Sequence, residues 1–232
     1  MNAYMEGKSG LLNAPTGSGK TFALWLPVLV DYINTQNDFK VNPPKGLQVL
    51  WITPLRALAK DLHRNMQQAC DEMQIPWQVG IRTGDIKISE RNKQNKAMPQ
   101  ALIITPESLH ILFAQKNNKT LFKNIHTIVV DEWHELAGSK RGVQTELALA
   151  HLRHINPALK IWGISATIGN LEQAKHGDFL ETSDDLVTSY SICVQLPPGG
   201  ACYLYGCTCT HLLFFGACTI FDKFMIVSSL RS

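Results

Sequence analysis

Cysteine is scarce where most of this chain lies. Of its six cysteines, Cys70 stands alone in the body and the other five fall between Cys193 and Cys218. Such sparse use argues against a disulfide-built fold and suits a reducing compartment. An opening apolar segment is lacking too: Met1 to Lys8 is short and polar, without the greasy core of a secretory signal. The longest hydrophobic run of the tail, Leu212 to Phe221, is about half the length needed to cross a bilayer. These absences predict a cytoplasmic protein with no membrane partner. Charged residues make up only 18% of the chain against 45% hydrophobic, as suits a soluble protein with a sizeable core. The net charge of +3 hides an asymmetry. Residues 1–175 carry 20 basic and 14 acidic side chains, whereas residues 176–232 carry 2 and 5. A moderately basic body is compatible with a polyanionic partner.

What the chain does have is concentrated first in Ala14-Pro15-Thr16-Gly17-Ser18-Gly19-Lys20-Thr21. Apolar Gly10-Leu11-Leu12 precedes it and helix-forming Phe22-Ala23-Leu24-Trp25-Leu26 follows. Strand, glycine loop, Lys-Thr and helix are the parts of a phosphate-binding loop, with Ala14 in place of the usual first glycine. Small residues let backbone amides converge on phosphate oxygens, and the helix N-terminus adds roughly half a positive charge. In such a loop Lys20 reaches the β and γ phosphates of ATP, and the Thr21 hydroxyl ligates magnesium. The blander alternative is a glycine-rich turn that only caps a helix.

The rest of the body alternates strand and helix. A helix is expected from about Gly19 to Tyr32, then a surface connection from Asn34 to Gly46, rich in Asn, Pro and Lys. Leu47 to Thr53 and Ala101 to Thr105 are nearly continuous in apolar residues, as parallel strands covered on both faces must be. After Pro54 a helix places Leu55, Leu58, Ala59, Leu62, Met66, Ala69 and Met73 on one face. Gln78 to Arg82, Thr127 to Asp131 and Lys160 to Ser165 are further strands. Charged Ile86 to Met98 reads as a loop or short helix, Pro106 starts a helix, and Val143 to His154 forms another. This order predicts an α/β fold, a parallel sheet with helices on both faces. Ligands bind such sheets at the carboxyl ends of the strands. The polar groups cluster there: Thr53, Thr83-Gly84-Asp85, Thr105, Asp131-Glu132 and Ser165-Ala166-Thr167.

Asp131-Glu132-Trp133-His134 supplies what the phosphate loop lacks. Asp131 is expected to hold magnesium, through water, together with Thr21. Glu132 is placed to orient or deprotonate the attacking water, and His134 to sense the γ-phosphate. A zinc-protease reading of His134-Glu135 fails, because Gly138 stands where a second histidine is needed.

Taken in order, Ala14 to Thr21, Asp131-Glu132-Trp133-His134 and Ser165-Ala166-Thr167 resemble superfamily-two helicases of the DExH-box type. The runs Asp131 to Gln144 and Trp162 to Leu171 are most similar to the Lhr-like group, particularly the ligase-associated DNA helicases. The likeness covers about Glu6 to Lys175 and implies a RecA-like domain. It further implies that Thr53, Pro54, Arg56, Thr83, Gly84, Thr105, Pro106 and Glu107 grip a DNA strand. Hydroxyls and helix N-terminal amides suit that task, since they fix a phosphate backbone without reading sequence. Unaided, Pro106-Glu107-Ser108 reads as an ordinary helix start, and Lys140-Arg141 as a solvated basic loop that could also meet DNA. By resemblance Ser165 and Thr167 couple the ATP state to movement on the strand. The whole protein would move 3′ to 5′, serve DNA repair, and partner a DNA ligase and a repair nuclease.

Two domains are expected: residues 1–175 as the first helicase lobe, and residues 176–232 as a cysteine-rich tail that is frame-shifted or foreign. With only thirteen residues before Ala14, anything upstream is expected to be missing, as is the second lobe. The spacing of Cys202, Cys207, Cys209, His211 and Cys218 fits no known zinc ribbon or finger. A lobe without the arginine finger of its partner is expected to bind nucleotide weakly and hydrolyse it poorly. An RNA helicase lobe shares these motifs, and a non-catalytic nucleotide- or nucleic-acid-binding remnant is the alternative from another class.

Overall fold

The computed structural model describes residues 2–15, 17–36, 38–115, 118–136 and 138–166, with the backbone of two further strands at 191–195 and 203–204. Thr16, Thr167 and the tail's cysteines and His211 lie outside the residues whose side chains are described, so the structure does not address the expectations placed on them.

The parallel body has six strands: β1 (Gly10–Asn13), β2 (Val49–Ile52), β3 (Val79–Arg82), β4 (Ala101–Ile104), β5 (Thr127–Val130) and β6 (Lys160–Ser165). They lie in the order β3-β4-β2-β5-β6-β1, every neighbouring pair parallel. β7 (Ser191–Gln195) pairs in parallel with β1, and β8 (Tyr203–Leu204) pairs antiparallel with β7. The helices are α1 (Asn2–Met5), α2 (Lys20–Thr35), α3 (Arg56–Glu72), α4 (Ile88–Lys96), α5 (Pro106–Phe113), α6 (Asn118–Phe122), α7 (Trp133–Leu136) and α8 (Lys140–Ile155).

Alternation along each strand divides the core in two. Val49, Trp51, Ala101, Ile103, Val129 and Trp162 face Trp25, Val28 and Leu29 of α2 and Met66 and Ala69 of α3. Leu50, Ile52, Leu102, Ile104, Ile128 and Val130 face Leu109 and Leu112 of α5 and Leu149 and Leu152 of α8. Strands buried on both faces need apolar residues at every position, and β2 and β4 have them. The predicted fold class holds. Two details differ. Leu55 and Leu58, expected on the buried face of α3, are exposed: Leu55 precedes the helix, which begins at Arg56, and Leu58 lies in its first turn. Three short helices, α1, α6 and α7, are additional to those the sequence pattern predicts.

Among the described residues, no helix is long and apolar enough to cross a membrane.

Candidate nucleotide and strand-binding site

β1 delivers the chain into the glycine loop, where Gly17 and Gly19 adopt positive φ angles of 80° and 81°. Gly19 is the residue before α2, and its left-handed conformation turns the chain so that the helix starts at Lys20. The Ala14 amide donates to the Ser165 carbonyl at 3.1 Å, which ties the loop to the end of β6. The Lys20 Nζ and Ser18 Oγ atoms are buried without a hydrogen-bond partner. Buried donors left unmatched are costly, and a phosphate ester is the kind of group that satisfies them. On this ground the loop fits a nucleotide phosphate chain.

β5 carries the acidic pair. Asp131 is 6% exposed; its amide donates to the Ile52 carbonyl at 2.8 Å, and Trp51 Nε1 donates to its carboxylate at 3.4 Å. The Glu132 amide donates to Asp131 Oδ1 at 3.0 Å. Burial pushes the Asp131 carboxyl up to about 6; hydrogen bonds from Trp51 and the Glu132 amide, and the Lys20 charge, oppose the shift, while the Glu132 carboxylate adds to it. A carboxylate held this high by burial would be relieved by a nearby cation. Among the described residues no three or more His, Cys, Asp or Glu side chains gather to hold a metal. Magnesium takes one or two protein oxygens and leaves the rest to water and phosphate. Thr21 and Asp131 are the residues that would provide them.

Glu132 sits at φ 47°, a left-handed conformation rare for a residue with a side chain. The chain thereby swings into α7, and Glu132 Oε2 lies 3.4 Å from His134 Nδ1. The same nitrogen is 3.0 Å from Ser165 Oγ, while Nε2 is 3.6 Å from Glu135 Oε1. Phosphate loop, acidic pair and β6 end are thus joined through neighbouring strands β5, β6 and β1.

The residues expected to grip a strand stand along the ends of β2, β3 and β4. Thr53 and Thr105 are fully buried. Thr53 Oγ1 accepts from the Leu55 amide at 3.4 Å, and Thr105 Oγ1 bonds Ser108 Oγ at 3.1 Å. Their hydroxyls shape the turns more than they face outward. Pro106 opens α5, and Thr83 is nearly buried beside exposed Gly84. Arg56 pairs with Asp85 at 3.5 Å over this edge. Glu107 is occupied by Arg141, whose Nε stands 2.6 Å from its carboxylate. Arg141 is therefore not the solvated loop cation that its sequence context predicts: its Nη2 also donates to the Pro54 carbonyl at 2.9 Å. Sequence reasoning misses this bridge and the Trp51 contact, since a tryptophan inside an apolar strand reads simply as core.

The comparisons with known proteins agree with this layout. The DEAD/DEAH box helicase family matches over residues 1–174. The Lhr helicase/uracil glycosylase of Escherichia coli (strain K12) is 35% identical over 171 residues, covering 68% of this chain and 11% of that protein. The ATP-dependent helicase Lhr-Core of Methanothermobacter thermautotrophicus is 32% identical, covering 72% and 20%. The structure of Mycobacterium smegmatis helicase Lhr bound to ssDNA and AMP-PNP superposes with a TM-score of 0.59 at 34% identity, covering 72% of this chain and 22% of that one. The chain spans about a tenth to a fifth of the length of these curated relatives. With a phosphate loop, an acidic pair and a row of strand-end turns on one RecA-like sheet, and a family match over three quarters of its length, this chain belongs to the DEAD/DEAH box helicases.

Proposed function

We propose that this chain is the first motor lobe of an ATP-dependent DNA helicase or translocase, binding ATP with magnesium and the backbone of one strand. The observation that carries the reading is the row Asp131, Glu132, His134 and Ser165, joined by contacts to the end of β6, with the unmatched buried ammonium of Lys20 close enough for its charge to act on Asp131. Lys20 and the loop amides hold the β and γ phosphates. Thr21 and Asp131 hold magnesium, which when bound neutralises charge developing on the phosphates. Glu132 takes the proton of the attacking water, and His134 carries the state of that site to Ser165 and, by family likeness, Thr167. The turns at Thr53-Pro54, Thr83-Gly84 and Thr105-Pro106, shaped from within by the Thr53 and Thr105 hydroxyls, meet the strand's phosphates together with the Arg56 guanidinium. A DNA strand is favoured because the Mycobacterium smegmatis relative was solved with ssDNA.

The motif resemblance to ligase-associated DNA helicases favours a repair role for the whole protein beside a ligase and a nuclease, and the sparse cysteines of residues 1–175 favour the cytoplasm. The lobe alone turns over slowly, for an arginine finger is worth about a thousandfold or more in rate. Titrating a fluorescent ATP analogue into the chain and into Lys20→Ala, with and without oligothymidylate, tests the reading. Saturable binding that Lys20→Ala abolishes is expected; equal binding by both would overturn it.

A further inference from the structure

Arg141 lies in the first turn of α8, well away in sequence from the two loops it touches. Its Nη2 donates to the Pro54 carbonyl in the turn after β2, at 2.9 Å. Its Nε pairs with Glu107 Oε1, in the first turn of α5 after β4, at 2.6 Å. α8 itself follows β5 and the acidic pair. One guanidinium therefore ties together the outlets of β4, β2 and β5, which are adjacent in the sheet. The fork of a guanidinium can serve a carbonyl and a carboxylate at once; a lysine ammonium lacks that fixed geometry.

The aim of Arg141 is itself built. Ser139 caps α8, donating to the Leu136 carbonyl at 2.7 Å and accepting from the Gly142 amide at 3.1 Å. Gly142 then packs so tightly on the Leu136 carbonyl that a Cβ there would collide with its oxygen. Burial pushes the Glu107 carboxyl up, but its own amide, the Arg141 guanidinium and the Thr105 hydroxyl beside it outweigh this and hold it below its ordinary value.

The side chains of Arg141 and Glu107 are 37% and 42% exposed although Arg141 Nε and Glu107 Oε2 are buried, and an ion pair so near the surface contributes only modestly to stability. Nor is a carboxylate a partner for a phosphate backbone. The pair stands beside the two turns at Pro54 and Pro106 assigned to strand binding. We infer that Arg141 and Glu107 are positioning residues, a bridge that sets the turn at Pro54 against the start of α5 so that both engage one nucleic-acid strand together. This rests on the proposed strand-binding role of those turns. Glu107 then acts through Arg141 and touches no phosphate.

The sign of one substitution separates this from plain electrostatics. Glu107→Gln deletes a negative charge from the strand path, so charge alone predicts tighter binding; a lost bridge predicts weaker binding. The test is fluorescence anisotropy of labelled oligothymidylate with the full chain, its Glu107→Gln and Arg141→Gln variants, and the double variant. Affinity for a fluorescent ATP analogue without DNA reports folding. Each single variant should bind the oligonucleotide about fivefold more weakly, as expected for losing roughly 1 kcal/mol. The double variant should be no weaker than either, with analogue affinity unchanged. Glu107→Gln binding as tightly as wild type or tighter would overturn the bridge, as would additive losses. If Arg141→Gln loses the analogue as well, Arg141→Lys, which keeps the charge but not the fork, replaces it under the same criterion. Failure of the wild-type chain to bind the oligonucleotide would defeat the strand-binding reading itself, and the bridge with it.

Discussion

His134 Nδ1 stands 3.0 Å from Ser165 Oγ, so the segment after β5 and the end of β6 meet through two side chains. Ser165 also offers its carbonyl to the Ala14 amide in the phosphate loop. Through these two contacts a nucleotide that shifted the loop or His134 would act on the end of β6. Coupling of this kind is reciprocal: a strand that strengthens nucleotide binding must be strengthened by nucleotide to the same degree. Ser165→Ala should leave analogue affinity within about twofold of wild type while removing most of the enhancement that oligothymidylate confers, a loss on the order of 1 kcal/mol of coupling. Titrations of each ligand with and without the other check this. An enhancement as large in the variant as in wild type would rule out the His134–Ser165 contact as the link.

Lys20 gives a prediction of opposite signs for two measurements. Its ammonium is buried without a hydrogen-bond partner and acts only weakly on the Asp131 carboxylate, so the empty protein carries most of the cost of desolvating it. Lys20→Ala should melt at the same temperature as wild type or higher when no nucleotide is present. With saturating nucleotide the order reverses, because a ligand held at a hundred times its dissociation constant stabilises wild type by about 2.7 kcal/mol. Thermal unfolding with and without nucleotide reads both signs. A variant that is less stable without ligand would mean that the attraction between Lys20 and the buried Asp131 carboxylate outweighs that cost.

Much of this architecture is legible in the sequence because the sheet is parallel and buried. Leu47 to Thr53 and Ala101 to Thr105 have no polar face to turn toward water, and a short run of that kind suits a strand covered on both sides. Thr53, Thr83, Thr105, Asp131 and Ser165 group together since polar residues closing apolar parallel strands must lie at one edge. The short helices α1, α6 and α7 have four or five residues, too few to show a 3.6-residue period. Periodicity starts α8 three residues late, at Val143, although Ser139 is a good N-cap type and does cap it. The bridging role of Arg141 is not legible at all. Its direction depends on the Gly142 backbone lying against Leu136, a contact that periodicity does not encode.

That contact makes Gly142→Ala a sharp test of the packing. A Cβ at Gly142 would run into the Leu136 carbonyl oxygen, a backbone atom that cannot swing aside as a side chain could. In an open helix alanine would be favoured over glycine by about 1 kcal/mol. Here the clash should reverse the sign and destabilise the chain by about 1–3 kcal/mol, the usual cost of overpacking. Urea denaturation measures it. The same variant should weaken oligothymidylate binding, because shifting the first turn of α8 carries Arg141 away from Pro54 and Glu107. A stabilised Gly142→Ala chain would contradict the close approach.

His126 supplies a pH dependence remote from the nucleotide site. Burial pushes its imidazole down to about 4, the Lys160 ammonium pushes the same way, and the Asp31 carboxylate opposes them weakly. The ring lies against Thr127, with His126 Nδ1 2.9 Å from Thr127 Oγ1, which also bonds the Tyr4 hydroxyl at 2.6 Å. In the unfolded chain the same ring titrates near 6.5. Between about 6.5 and 4 the unfolded state therefore binds a proton that the folded state refuses, and stability falls as pH drops through that window. Above 6.5 both states are neutral and His126 adds no slope. The loss at the lower end should approach about 3 kcal/mol as an upper limit. Urea midpoints from pH 7.5 to 4.5 for wild type and His126→Gln isolate this contribution, since the remaining titratable groups are common to both. The wild-type curve should fall more steeply below 6.5 and run parallel to the variant above it. Parallel curves throughout would mean that the folded imidazole accepts its proton as readily as the unfolded one.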